Sequence, residues 1–209
     1  MVIRFFVDFD KEERWLNEMA AAGRLMRKHG LVYRATDIVP GSAVVRIDYR
    51  PGMSAADFAD YRQLFADAGW QHLSGTRSSG IQHFASTTDD ADADIFSDAR
   101  SRAQRYERAI DVSMIMLLPT VVVVFALMAT EGSGVRQLLS PGEWYLTPGL
   151  WEMEGSRFLG AFLFETVFVV LRVGLPLLLV AAAGVMVATA VYQGVLYRRA
   201  IAAAGPPRV

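Results

Sequence analysis

Residues 112–129, VSMIMLLPTVVVVFALMA, decide how this chain is read. Eighteen residues pass without a charge. At ~1.5 Å rise per residue, a helix of that length nearly crosses a hydrocarbon layer ~30 Å thick. Roughly half of the chain precedes it and has the polar, mixed composition of a folded domain. A short polar loop and a second long apolar region follow. The expected architecture is an α+β domain followed by a two-span helical membrane region.

The charges support this division. Residues 1–98 carry eleven Lys/Arg against fifteen Asp/Glu, a net of −4. Mild acidity argues against direct nucleic-acid binding, because phosphate contact needs a basic footprint. The chain has no cysteine, so neither a disulfide framework nor a thiolate metal site is open to it, which fits a reducing compartment. The apolar run in MVIRFFVDFDKEER is too short, and its flank too acidic, for a signal peptide. The N-terminal domain is therefore expected in the cytosol.

Within residues 1–88 the pattern repeats. Val2 to Phe6 reads as a strand. Asp10, with Glu13 three residues on, reads as a capping-box-like helix start. Trp15, Leu16, Met19 and Ala22 share a face of that helix, and Gly23 ends it. Two short strands follow, turning at His29-Gly30. Then Ala43 to Tyr49 alternates as a strand, and Ser54 with Asp57 starts a second helix. Phe58, Tyr61, Phe65 and Ala68 line one face of it, Gly69 ends it, and a second hairpin follows over residues 70–86. Two β-α-β-β units of about forty residues each are expected to pack as one antiparallel sheet with helices on one face.

Residues 89–109 read as an acidic linker and a basic juxtamembrane helix, with Ser97 or Asp98 as its cap. That helix carries Arg100, Arg102, Arg105 and Arg108 into the first span, 110–129. The loop 130–157 has only Arg136 and Arg157 against four glutamates, and the tail 198–209 brings back Arg198, Arg199 and Arg208. Cytosolic flanks are enriched in Lys/Arg, so both termini are expected on the cytosolic side of a bacterial cytoplasmic membrane, with two spans. Residues 158–197 hold only two charges, Glu165 and Arg172. One helix of that length would reach ~60 Å, twice the hydrocarbon thickness. The second span is placed at 173–197, and 158–172 is an interfacial or re-entrant segment or the projecting part of a long helix. Pro119, Gly174 and Pro176 allow bends.

Several features invite a chemical reading, each beside a structural one. Asp8 and Asp10 look like a metal pair but suit capping and a strand end better. His72 and His83 are expected to face each other across the second hairpin, with His29 near by if the repeats pair. Zinc wants three or four ligands, so ordinary histidines are the default and no metal or cofactor is assigned. Trp15 and Trp70, with Phe5, Phe6 and Phe84, are core aromatics first. Together with His72 and His83 they are also the candidate partner or ligand surface. Glu165 and Arg172, seven apart, share a helix face at or near membrane depth, where charge is costly. Gly184 and Ala188, and Ala190 and Gly194, are spaced for close helix packing, within the chain or in a homodimer. No phosphate-binding loop, HExxH or nucleophile elbow is present.

The strings FFVDFDKEERWLNEMAAAGRL, YRQLFADAGWQHL, IQHF and IFSDARSRAQRYER together resemble the bacterial family catalogued as domain of unknown function 2812, over about residues 4–108. The resemblance implies a bacterial inner-membrane setting, a domain followed by spans and, for some members, a neighbouring PadR-like transcription regulator. It implies no activity and no catalytic residues. The expected function is a membrane-tethered, non-enzymatic recognition or regulatory protein whose cytosolic domain binds a small ligand or a protein partner, such as a membrane complex or a transcription regulator. The alternative is an accessory subunit of a membrane transport or export complex. An integral-membrane enzyme ranks third, because Asp111, Glu165 and Arg172 would lie at different depths.

Overall fold

The computed structural model describes residues 1–87, 95–96, 99–130 and 140–204. The acidic stretch 88–94, the caps Ser97 and Asp98, and Glu131, Arg136 and Arg208 lie outside the described residues. The chain divides into two compact units, residues 1–112 with 189–209, and residues 113–188.

In the first unit the repeat is explicit. Strand β1 (Val2–Ile3), helix α1 (Phe9–Ala21) and strands β2 (Arg24–His29) and β3 (Val32–Asp37) form one β-α-β-β unit. Strand β4 (Val44–Arg50), helix α2 (Ala55–Asp67) and strands β5 (Gln71–Ser74) and β6 (Gly80–Ser86) form the other. Each unit makes its own three-stranded antiparallel sheet, with orders β1-β3-β2 and β4-β6-β5. The sheets adjoin at β2 and β5, where the Lys28 amide donates to Ser74 Oγ at 3.3 Å. The helices end alike. Gly23 and Gly69 have φ near +80°, at 80° and 82°. That left-handed conformation is costly for any residue with a Cβ.

The helix starts differ. Ser54 and Asp57 form the expected reciprocal box at α2. At α1 the cap is Asp8, not Asp10: Asp8 is extended, and its carboxylate accepts from the Lys11 amide at 3.1 Å. Asp10 then lies inside the first turn, where its carboxylate accepts from the Tyr106 hydroxyl at 2.7 Å.

The helices do not share one face of one sheet. Alternation along β4 and β6 sends Val45, Ile47 and Ala85 into a core with Phe9, Trp15 and Leu16 of α1. It sends Val44 and Phe84 to the opposite side, against Tyr61, Phe58 and Phe65 of α2. The second sheet is covered on both faces, and six of the seven residues of β6 are buried. A strand buried on both faces carries a run of buried positions instead of an alternation.

Helix α1 also closes the free edge of β4. Asn17 Nδ2 donates to the Val45 carbonyl at 3.0 Å, and the Val45 amide donates to Asn17 Oδ1 at 2.7 Å. One side chain thus supplies what a neighbouring strand would. Asn17→Ala strands both groups and is expected to cost about 1–3 kcal/mol. Faster hydrogen exchange at the Val45 amide would localise the loss to this edge.

Helix α3 (Ala99–Thr130) contributes Tyr106 and Ala109 to the α1 core. Its arginines, read above as a membrane flank, serve the domain. Arg105 is fully buried; it donates to Asp10, to Glu13 Oε2 at 3.2 Å and to the Ile47 carbonyl at 2.8 Å. Arg102 pairs with Glu13, and Arg108 donates to Asp48 at 2.7 Å. Spacing of three places these side chains along one helix face.

Two helical stretches are long and apolar enough to cross a membrane, within 100–127 and 155–203. None of the apolar window of the first is buried, and 17% of the second. Residues 158–172 are neither re-entrant nor separate: α4 (Gly155–Val169) passes through a π-helical turn, Val170–Gly174, into α5 (Leu175–Ala204). Pro176 explains the turn. It has no amide hydrogen for the Arg172 carbonyl four residues back, and a widened turn relieves the clash of its ring.

Candidate functional site

The two repeats leave a cleft of about 640 Å³ where β2 approaches β5. That is within the usual size range of small-molecule sites, ~300–1,000 Å³. Lys28 and His29 at the end of β2 form one side. His72, Leu73 and Ser74 of β5, the turn residues Thr76 and Ser79, and His83 of β6 form the rest.

The sequence places β6 here through its register. His72 lies opposite Phe84, and Ser74 opposite His83, with a bulge between. The two histidines therefore do not face each other across the hairpin, because neighbouring positions on a strand point to opposite faces. The His72 ring packs edge-on against Phe58 and Phe84, and its Nε2–H donates to Gln82 Oε1 at 2.9 Å. Burial, reinforced by the charges of Arg62 and His83, pushes the His72 pKa down against that hydrogen bond. The His83 ring points instead to α1, where Nε2–H donates to Glu12 Oε1 at 2.9 Å.

Glu12 is the centre of the buried chemistry. Its Oε1 also accepts from Lys28 Nζ at 2.8 Å and from the Tyr33 hydroxyl at 2.6 Å. Burial by itself raises a carboxyl pKa. Here the His83 hydrogen bond and charge, with Lys28, outweigh burial and hold Glu12 at about 2. The Tyr33 hydroxyl is pushed up by burial and by its bond to the carboxylate. Glu12 is thus ionised and saturated on one oxygen. His83 Nδ1 is buried and has no partner. A carboxylate-held imidazole with a free nitrogen can bind an acid or accept a proton. Since Nδ1 bonds to no hydroxyl, it activates no serine or threonine nucleophile in this arrangement.

All three histidines, His29, His72 and His83, line this one cleft. Among the described residues no three His, Asp or Glu side chains converge to hold a metal ion. Trp15 and Trp70 do not line it. Trp15 is 7% exposed in the α1 core, edge-on to Tyr33, and Trp70 is 4% exposed in the α2 core. They fill two separate cores and form no common surface. Glu12, Lys28 and Tyr33 escaped the sequence reading, because a charged run such as DKEER is normally a solvated helix face. The available signal was Glu12 and Glu13 in the same helical turn as the apolar Trp15 and Leu16.

The other singled-out charges lie in the second unit and bind backbone. Glu165 accepts from the Leu146 amide, and from the Thr147 amide at 2.9 Å. Arg172 donates to the Trp144 carbonyl. Tyr145 stacks on Phe162 at 5.2 Å, and Trp151 meets Tyr145 edge-on at 5.4 Å. Irregular backbone beside an apolar helix needs internal partners, and these two side chains supply them. Glu165→Leu is expected to release residues 140–152. Protease cleavage within that segment should become several-fold faster, while the first unit stays resistant. Of the small residues, Ala190 is buried, whereas a Cβ on Gly184 or Gly194 would touch nothing.

A family model described as "Protein of unknown function (DUF2812)" matches residues 8–118, more than half of the 209 residues, and the chain belongs to that family. No curated protein and no solved structure matches the chain.

Proposed function

We propose that this member of the DUF2812 family is a membrane-tethered, non-enzymatic recognition protein, and that the cleft between β2 and β5 is where its α+β domain takes up a ligand. The bacterial cytoplasmic membrane, with both termini cytosolic, is the setting the arginine distribution favours. The observation that carries the reading is the position of α1. Glu12 on this helix binds His83 and Lys28 of the cleft. Glu13, the next residue, binds Arg102 and Arg105 of α3, the helix that contains the apolar stretch. A ligand that moves His83 or Lys28 acts on α1 and hence on α3, so occupancy has a mechanical route to the span. Exposed apolar helices of this length are accommodated by lipid, which supports the tether.

The test is purification of the full chain from native membranes in mild detergent, with mass spectrometry of what stays bound. Thr76 is exposed at the cleft wall, so Thr76→Trp blocks it without touching either core. Loss of a bound small molecule or soluble protein in that variant supports the reading. A bound complement identical in both proteins, or substrate turnover abolished by cleft mutations, overturns it. The open flanks of Gly184 and Gly194 favour a second reading, an accessory subunit of a transport or export complex. Exchange of both spans for an unrelated two-span anchor with full retention of function would eliminate it.

A further inference from the structure

We infer that the ligand of the β2–β5 cleft is a small water-soluble oxyacid, a carboxylate or phosphate, bound through Nδ1 of His83. This rests on the reading of the cleft as the recognition site.

His83 is 2% exposed and lines the cleft, yet Nδ1 lacks a partner. Buried polar atoms are nearly always satisfied in a working protein, so an orphan at a cleft wall marks where a ligand atom belongs. The other polar groups of the wall are the Lys28 ammonium, the rings of His29 and His72, and the hydroxyls of Ser74, Thr76 and Ser79. No Asp or Glu is among the lining residues. The nearest carboxylate, Glu12, already accepts from Lys28, Tyr33 and His83 on one oxygen. A cationic ligand therefore finds no acidic group on the wall, and an oxyanion finds several donors.

Protonation points the same way. His83 is faced by Glu12 from α1, Lys28 from β2, Tyr33 from β3 and His72 from β5. With Nε2–H committed to Glu12, Nδ1 carries either a lone pair or a second proton. If it carries a proton, it donates directly to the anion. If it carries a lone pair, the ligand O–H bond breaks and an Nδ1–H bond forms. The product in both cases is an imidazolium held between Glu12 and the ligand's anionic oxygen. An oxyacid is thus matched to both states of the ring. Binding to the neutral ring takes up one proton, so the affinity of the anion falls about tenfold per pH unit wherever the free ring is neutral.

The test uses the full chain in detergent, with nitrogen-labelled histidine followed by NMR. Acetate and inorganic phosphate are titrated separately at constant ionic strength, with tetramethylammonium and propanol as cationic and neutral probes. A saturable shift of the His83 ring nitrogens with one of the anions is expected, and which anion acts separates carboxylate from phosphate. Binding followed by calorimetry should weaken at least tenfold in His83→Gln, whose amide keeps a donor for Glu12, and in Thr76→Trp. Circular dichroism establishes that both variants fold. Absence of a saturable shift with either anion overturns the oxyacid. If a neutral or cationic molecule copurifies and is lost in Thr76→Trp, the recognition reading survives that failure. If nothing copurifies in a cleft-dependent way, both fall.

Discussion

Arg105→Met is expected to destabilise the first unit by about 3–5 kcal/mol, the largest single effect in the chain. The guanidinium is fully buried, beneath the rings of Phe9 and Tyr106, with its carbon 5.6 and 5.4 Å from their centroids. It bridges α1 and β4 by bonding Asp10, Glu13 and the Ile47 carbonyl. Methionine fills the volume but removes the charge, leaving Glu13, itself 4% exposed, with one fewer cation. Breaking a buried pair costs more than the pair contributes, because the surviving charge stays desolvated. Arg102 still reaches Glu13, so the lower end of the range is expected. Arg105→Lys keeps the charge without the planar fork and should fall between. Urea unfolding of the full chain in detergent, followed by tyrosine and tryptophan signals of the α1 core, measures the difference. A loss below about 1 kcal/mol would show the site to be as weak as an exposed ion pair.

Glu12 gives the second large effect, and it depends on pH. Its carboxyl sits at about 2 in the folded protein against an ordinary value of 4.5. A depressed carboxyl contributes stability that is complete above its unfolded pKa and disappears as pH falls through the folded one. Glu12 therefore adds about 3 kcal/mol above pH 4.5, lost progressively down to about pH 2. Glu12→Gln should remove this part of the acid sensitivity and cost a similar amount near neutrality, because the Lys28 ammonium loses its counter-charge. Unfolding free energies of the two proteins should converge at the acid end of that window and separate above it. Parallel profiles would show that Glu12 is not ionised in the folded state at low pH.

Much of the α+β domain was legible because local rules fix it. Gly23 and Gly69 stop helices in any context that needs a left-handed residue, and Ser54 with Asp57 closes a box within four residues. The cap of α1 was misplaced by two residues, because Asp8 and Asp10 are both chemically able to cap. Only the partner Tyr106, 96 residues away, determines which one is free for another role. The cleft was less legible. His29, His72 and His83 were visible as a set, but the bulge between His72 and Ser74 decided which ring faces which helix. A bulge is one unpaired residue with no strong sequence mark.

The sequence by itself determined the division at residue 112, the repeat, the hairpins and the apolar helices. These follow from composition and from periods of two and 3.6, which act over a few neighbours. Tertiary structure alone decided what the charges do. Glu12, Glu13, Arg105, Glu165 and Arg172 read from sequence as solvated, flanking or membrane-embedded groups. In the fold each takes partners from other segments, and one of them builds the cleft. The physical reason is that burial of a charge is settled by distant groups able to pair with it, and neither hydropathy nor spacing reports who those groups are.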